Sequence, residues 1–227
     1  MTYLVDRGYR GVTFSEAVAQ ETRGRVVAIT FDDAFASVFD RALPILRRHL
    51  LPATLFVPTR FVDSPEAMVW DGTSQWLDKG YRDELQCMTS EQIRGLADAG
   101  WEIGAHSYDH PRLTELSQDG IEQQMQRSKE TCERIAGGPC RSIAYPYGDA
   151  DAKVEAAAAR AGFSAAAGLS SDLSRSGPFY RARTGIYHDD GTLRFRLKCS
   201  RLVRGLRGRG IGTRLRRFGA PGRQLQS

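Results

Sequence analysis

Two rhythms alternate along this chain. Short, nearly uninterrupted apolar runs, VVAITF (26–31), ATLFV (53–57), WEIGAH (101–106), RSIA (141–144) and FSAAAG (163–168), read as buried strands. Between them lie stretches with helical spacing. In SVFDRALPILRRHL the residues Val38, Phe39, Ala42, Leu43, Ile45 and Leu46 form one stripe. Thr89 or Ser90 can cap a helix SEQIRGLADAG, with Ile93, Leu96 and Ala97 on one face and Gly100 as its stop. A longer helix is expected from about Ser117 to Ile135, and AKVEAAAARAG predicts an alanine-rich one ended by Gly162. Strict strand–helix alternation predicts an α/β fold with a parallel sheet or barrel, in which functional residues gather at the C-terminal ends of strands.

The rhythm fails in two places. From Arg60 to Met88, a segment with Pro65, Gly72, Gly80, Trp70 and Trp76 shows no period and reads as a long loop, a common seat of function. After Arg194 the apolar positions 202, 203 and 206 are interrupted by Gly205, Gly208, Gly210 and Gly212, each weakening a helix by about 1 kcal/mol, so a fraying extension is expected. Charge divides at the same point. Of 32 basic residues eleven lie from Arg194 onward with no acid among them, leaving 21 against 27 acidic residues before. The basic balance therefore belongs to the tail and says nothing about a site.

With 227 residues and 41% hydrophobic content the chain can fill one core, which excludes disorder for most of it. No stretch approaches the roughly 18 apolar residues of a membrane span, and MTYLVDRGYRGV lacks the apolar centre of a signal peptide. Cys87, Cys132, Cys140 and Cys199 are far apart without a CxxC pair, so isolated reduced thiols and a cytoplasmic compartment are expected.

Three strand ends carry chemistry. VVAITF runs into Asp32 and Asp33; WEIGA ends in HSYDH, residues 106–110; RSIA ends in YPYG, residues 145–148. Two adjacent carboxylates repel and resist burial unless a positive partner compensates them. His106 and His110, four apart, can face a common point, and one carboxylate would complete a two-His, one-carboxylate set for a divalent cation. The other carboxylate is then free to act as a base toward a water attacking a carbonyl. Rival motifs fail on single letters: a zinc protease needs HExxH, but Ser107 stands at the glutamate's place, and GxSxG is absent.

On these residues the chain resembles the polysaccharide deacetylases, the NodB homology domain of carbohydrate esterase family 4. TFDDA looks like the family's TFDDG, HSYDH like its H-[ST]-x-x-H metal motif, and IAYPYG like its FAYPYG form. ALPIL, ATLFV, LADAGWEIGAHS and the stretch 161–166 are also similar, extending the likeness over about residues 10 to 200. The resemblance implies a deformed (β/α) barrel and metal-dependent N-deacetylation of an N-acetylated sugar, with zinc as the metal and cobalt or nickel as alternatives. It implies Asp32 as base, Asp33, His106 and His110 as metal ligands, and the backbone N–H of Tyr147, in a turn fixed by Pro146 and Gly148, as oxyanion donor.

Departures matter as well. Ala34 replaces the family's usual glycine, which is strained if the position has positive φ. Ala144 stands where many members carry the arginine that orients the base, and Arg183, or second Arg181, is expected to take over. His188 is the candidate general acid, His49 a helix-end residue, and Trp70, ahead of Trp76, the candidate sugar contact. The resulting organisation is a lead-in at 1–25, a catalytic domain at 26–200 and a basic tail at 201–227. The expected partner is an N-acetylated glycan, not nucleic acid, with weak contact of the tail to an anionic membrane surface. LVDRGYRGVTFSEAV resembles a segment internal to relatives, so an envelope-associated or exported location is the alternative to the cytoplasm. Competing functions are a hydrolase of a small amide or cyclic imide on the same fold and a degenerate glycan-binding domain.

Overall fold

The computed structural model describes residues 1–19, 24–71, 73–79, 81–169, 176–187 and 189–200. In chain order the elements are Thr2–Asp6 (α1), Arg10–Val12 (β1), Phe14–Ala19 (α2), Val26–Ala28 (β2), Thr30–Phe31 (β3), Leu43–Arg48 (α3), Thr54–Val57 (β4), Ser90–Asp98 (α4) and Glu102–Ala105 (β5). Gln118–Ala136 (α5), Ser142–Ala144 (β6), Ala152–Arg160 (α6), Ala165–Leu169 (β7), Ser176–Gly177 (β8), Tyr180–Arg183 (β9) and Thr192–Cys199 (α7) complete them. The main sheet has the order β3-β4-β5-β6-β7-β9-β8, parallel throughout except for the β8–β9 pair. The sheet curls into a barrel that stays open. Arg183, at the end of β9, reaches across the opening to Thr30 and Asp32 at the end of β3, with Nη1 2.9 Å from Thr30 Oγ1.

Most elements form where local chemistry predicts. Thr89 accepts the Gln92 N–H while Gln92 answers the Thr89 N–H, a reciprocal cap for α4, and Gly100 follows at φ 85°. Ser117 and Asp151 cap α5 and α6.

Three local readings need correction. VVAITF is not one strand: β2 pairs with β1 in a separate two-stranded sheet, and β3 pairs with β4 in the main sheet. The switch falls at Ile29, whose carbonyl accepts the Thr54 N–H at 2.9 Å. Because β1 is its partner, the lead-in is built into the fold. Pro44 divides the helix after the carboxylates: a π-type turn at Val38–Ala42 precedes α3, whose first turn tolerates the missing N–H. The stretch after Arg194 begins as helix, not as a frayed end. Phe195 packs edge-on against Tyr3 of α1, which Arg7 and Arg196 also flank, and Lys198 donates to the Gly185 carbonyl, so tertiary contacts outweigh weak propensity. The proposed tail, residues 201–227, lies outside the described residues.

The core places Leu55, Val57, Ile93, Leu96, Ile121, Met125, Ile143 and Val154 at zero exposure between sheet and helices. The end of the barrel opposite the strand C-termini is tied by one carboxylate. Glu102 accepts from Ser142 Oγ (2.6 Å), Thr54 Oγ1 (2.9 Å) and the Ser15 N–H (2.9 Å), and Thr54 Oγ1 accepts the Phe14 N–H (2.8 Å). The start of α2 is thereby fastened across the bases of β4, β5 and β6. All four cysteines are free thiols, and burial pushes Cys87 up to about 12.

Candidate metal centre

The C-terminal ends of β3, β5, β6 and β9 deliver Asp32 and Asp33, His106, the Pro146–Gly148 turn and Arg183 to one rim. Oδ1 of Asp33 lies 3.4 Å from Nε2 of His106 and 3.4 Å from Nε2 of His110. All three ligand atoms fall within 4.8 Å of one another. Donors about 2.0–2.1 Å from a tetrahedral cation stand about 3.4 Å apart, so the set fits a divalent ion. Asp33 Oδ1 is moreover buried without a hydrogen-bond partner, a loss of about 1–3 kcal/mol if nothing positive meets it.

The histidines are set differently. His106 Nδ1 lies 2.8 Å from the Ala144 carbonyl, which can only accept, so Nδ1 carries the proton and Nε2 turns its lone pair to Asp33. Burial works against a charge on His106, but the carboxylates of Asp33 and Asp32 outweigh it and raise its pKa. His110 lacks such a tether, since its Nδ1 has no hydrogen-bond partner among the described residues. Its ring is held instead by stacking on Trp70, centroids 3.9 Å apart and planes 16° from parallel. Burial, then the neighbouring His106, lowers its pKa to about 3, which keeps it neutral as a ligand must be.

Backbone strain collects here. Asp33, Ala34, Ser107, His110 and Tyr147 are five of the seven non-glycine residues with positive φ among the described residues. Each costs about 1 kcal/mol or slightly more and persists only where its surroundings enforce it. The restraints are visible. The Met88 N–H donates to the Ala34 carbonyl (2.9 Å), and Ser107 Oγ accepts the His110 N–H (3.0 Å). Tyr147, at φ 60°, sits in a turn closed from the Gly148 N–H to the Tyr145 carbonyl (2.8 Å). Gly148 is required: at φ 70°, a Cβ there would lie 2.4 Å from the Leu169 nitrogen.

Asp32 faces the other way, toward charge. Arg183 holds it in a two-pronged pair, Nη1 to Oδ1 at 2.7 Å and Nη2 to Oδ2 at 2.8 Å, while Nε donates to the Gly168 carbonyl. Burial alone would raise the Asp32 pKa, but Arg183 reverses that and holds it at about 2. Arg183, not Arg181, makes this pair.

Among the remaining expected residues, Pro146 is buried in the turn and Tyr147 packs edge-on to His110. Trp70 gives one ring face to His110, so that face is not open to a sugar as expected. His49 caps the end of α3, and His188 lies outside the described residues. The sequence reading missed Thr30, Gln124 and Arg112. Gln124 Oε1, from α5, accepts the N–H groups of Tyr108 (2.9 Å) and Asp109 (3.3 Å) inside the ligand loop. The Arg112 guanidinium lies 4.1 Å over the Tyr147 ring and pairs with Asp71 at 3.4 Å. Thr30 alone left a trace, as the one polar interruption in its apolar run.

Comparison with known proteins bears on the family and the fold. A family model described as polysaccharide deacetylase matches residues 19–166. A poly-beta-1,6-N-acetyl-D-glucosamine N-deacetylase of Staphylococcus epidermidis is 23% identical over 150 residues, covering 60% of this chain and 47% of that protein. The peptidoglycan-N-acetylmuramic acid deacetylase PdaA of Bacillus subtilis is 25% identical over 118 residues, covering 51% and 35%. The chain thus spans about half, or less, of the length of these relatives. The deacetylase PplD of Streptococcus pyogenes, solved with acetate, shares the fold at a TM-score of 0.71 and 20% identity, covering 88% of this chain and 83% of that one.

Proposed function

Because the chain belongs to the polysaccharide deacetylase family, we propose that it removes N-acetyl groups from N-acetylhexosamine units of a polysaccharide or glycan precursor. The observation that carries this reading is the Asp33–His106–His110 cluster standing beside a carboxylate that Arg183 keeps ionised. Both the staphylococcal and the Bacillus relatives are named for removing acetyl groups from glycans, which supports the substrate class.

Asp33, His106 and His110 would hold a divalent cation, zinc with cobalt or nickel as alternatives, which supplies Lewis acidity toward an acetamide carbonyl and an attacking water. Asp32 takes the proton of that water, and as the C–N bond breaks the departing sugar nitrogen gains a proton, so that acetate and a free amine are released. With a pKa near 2 Asp32 is a weak base, so Arg183 secures its charge and aim at the expense of basicity, and the proton rests on it only in passing. The Tyr147 N–H faces the developing oxyanion from a turn whose strain keeps the donor preorganised. Trp70 and the buried His110 ring exclude water from one side of the centre.

The test is metal content together with acetate release from N-acetylglucosamine oligomers. Chelation should abolish release and added divalent metal restore it; His110→Ala should lose both metal and turnover, and Asp32→Asn should keep metal but lose turnover. Acetate release that is indifferent to metal would overturn the proposal.

A further inference from the structure

Two thiols that the chemistry above does not use meet behind the sheet. Cys132 lies in the last two turns of α5 and Cys140 two residues before β6, 1% and 2% exposed. In sequence they read as isolated, since no CxxC pair marks them. The fold brings them together. Cys132 Sγ donates to the Gly104 carbonyl and Cys140 Sγ to the Ser142 carbonyl, each at 3.6 Å. Gly104 and Ser142 are neighbours on adjacent strands: the register sets Ala105 of β5 opposite Ile143 of β6, and a Cβ on Gly104 would lie 2.8 Å from Ser142 Oγ.

The chain between the cysteines is also tied back on itself. Gly137, at φ 69°, ends α5 with its N–H on the Glu133 carbonyl (2.9 Å), and the Cys140 N–H donates to Glu133 Oε1 (3.2 Å). The residue after Cys132 thus holds the backbone of Cys140, and the two thiols hydrogen-bond to one another. One buried cysteine is merely a small apolar side chain. Two in contact are a dithiol that an oxidant can join.

We propose that Cys132 and Cys140 form a disulfide when the chain folds in the presence of a disulfide oxidant, glutathione disulfide or a thiol–disulfide oxidoreductase, and that the bond staples the end of α5 to the start of β6. The thiolate of one cysteine attacks a sulfur of the oxidant, releasing one thiol and leaving a mixed disulfide. The thiolate of the other attacks that intermediate, forming the Cys132–Cys140 bond and releasing the second thiol. The protein gives up two protons and two electrons, which reduce the oxidant's disulfide to two thiols. The hydrogen bond with Cys140, then burial, raise the Cys132 pKa well above its ordinary value, so the folded dithiol offers little thiolate. The bond therefore forms while the segment is still open to solvent and, once buried, resists reductants. It is a staple and not a switch.

The test is to unfold and reduce the full chain, then refold it either with mixed reduced and oxidised glutathione or with reductant alone. The oxidised product should be lighter by two hydrogens, and a tryptic digest without reductant should link the peptides 130–134 and 135–141. Its Tm should exceed that of the reduced chain by about 5–10 °C, as closing so short a loop in a chain of this size implies. Cys140→Ala should abolish both the link and the difference in Tm. Chain secreted into an oxidising compartment gives the same mass and digest should refolding be incomplete. Four free thiols in the oxidised native product, a bridge to Cys87 or Cys199 in place of the expected one, or a Tm no higher than that of the reduced chain overturns the staple.

Discussion

Asp32 and Asp33 are neighbours in sequence but answer to different partners. Asp33 turns an otherwise orphaned oxygen to two imidazoles, while Asp32 is gripped by a guanidinium from the far side of the sheet. The repulsion that makes such a pair costly is thus split between a ligand cluster and an ion pair. Ala34 closes the turn at φ 53° with no exposure, so the strain anticipated for a residue other than glycine is present there and is held by the Met88 hydrogen bond. The Arg183 pair has a measurable signature. The Asp32 pKa is depressed in the folded state, so its contribution is complete above the unfolded carboxylate range and is lost as pH falls toward about 2. A drop from 3.8 to about 2 corresponds to about 2 kcal/mol. Because burial alone would raise the Asp32 pKa, Arg183→Leu should destabilise the protein by at least that amount at pH 7, and by clearly less at pH 3, where a carboxylate without its guanidinium is largely protonated. Urea unfolding at the two pH values checks it; an equal loss at both would mean that Arg183 acts by packing, not by charge.

Elements explain why the centre was only partly legible in the chain. Strand ends were readable because a parallel sheet sends every apolar run out on the same rim, and the polar letters that follow each run are exposed to view. The positive-φ positions were not readable, since Ser107, His110 and Tyr147 carry no letter that demands a left-handed backbone. Nor was Gln124: a glutamine in the middle of an amphipathic helix looks like a solvated face, and only the packing of α5 shows its amide oxygen reaching the Tyr108 and Asp109 N–H groups. The two histidines stand at either end of that loop. Gln124→Leu should leave both N–H groups without an acceptor and let the loop relax, weakening metal affinity by about tenfold, as loss of groups behind metal ligands does. Gln124→Glu, which retains the accepting oxygen, should restore it. Competition with a chromophoric chelator reads the affinity directly, and equal affinities in wild type and Gln124→Leu would remove Gln124 from the site.

Among the described residues, the polar networks that tie the sheet lie at the two ends of a barrel that stays open. At the C-terminal rim Arg183 spans the opening between β9 and β3, so one residue serves both the seam and the base. At the opposite end Glu102 does the fastening, linking β4, β5 and β6 to the start of α2 without contributing a group to the metal centre. A glutamate opening a strand reads in sequence as a solvated end, and only the crossing of α2 beneath the sheet reveals its three donors. The two ends should be separable by mutation, since residues at strand C-termini carry function while those at the N-terminal face carry stability. Glu102→Ala strands the Ser142 hydroxyl and the Ser15 N–H, at a cost of about 3 kcal/mol; Glu102→Gln, which keeps one accepting oxygen, should lose less. Below its lowered melting point the alanine variant should retain full metal occupancy and undiminished acetate release per metal ion. Loss of metal in a variant still folded by circular dichroism would mean that the base of the barrel sets the geometry of its rim.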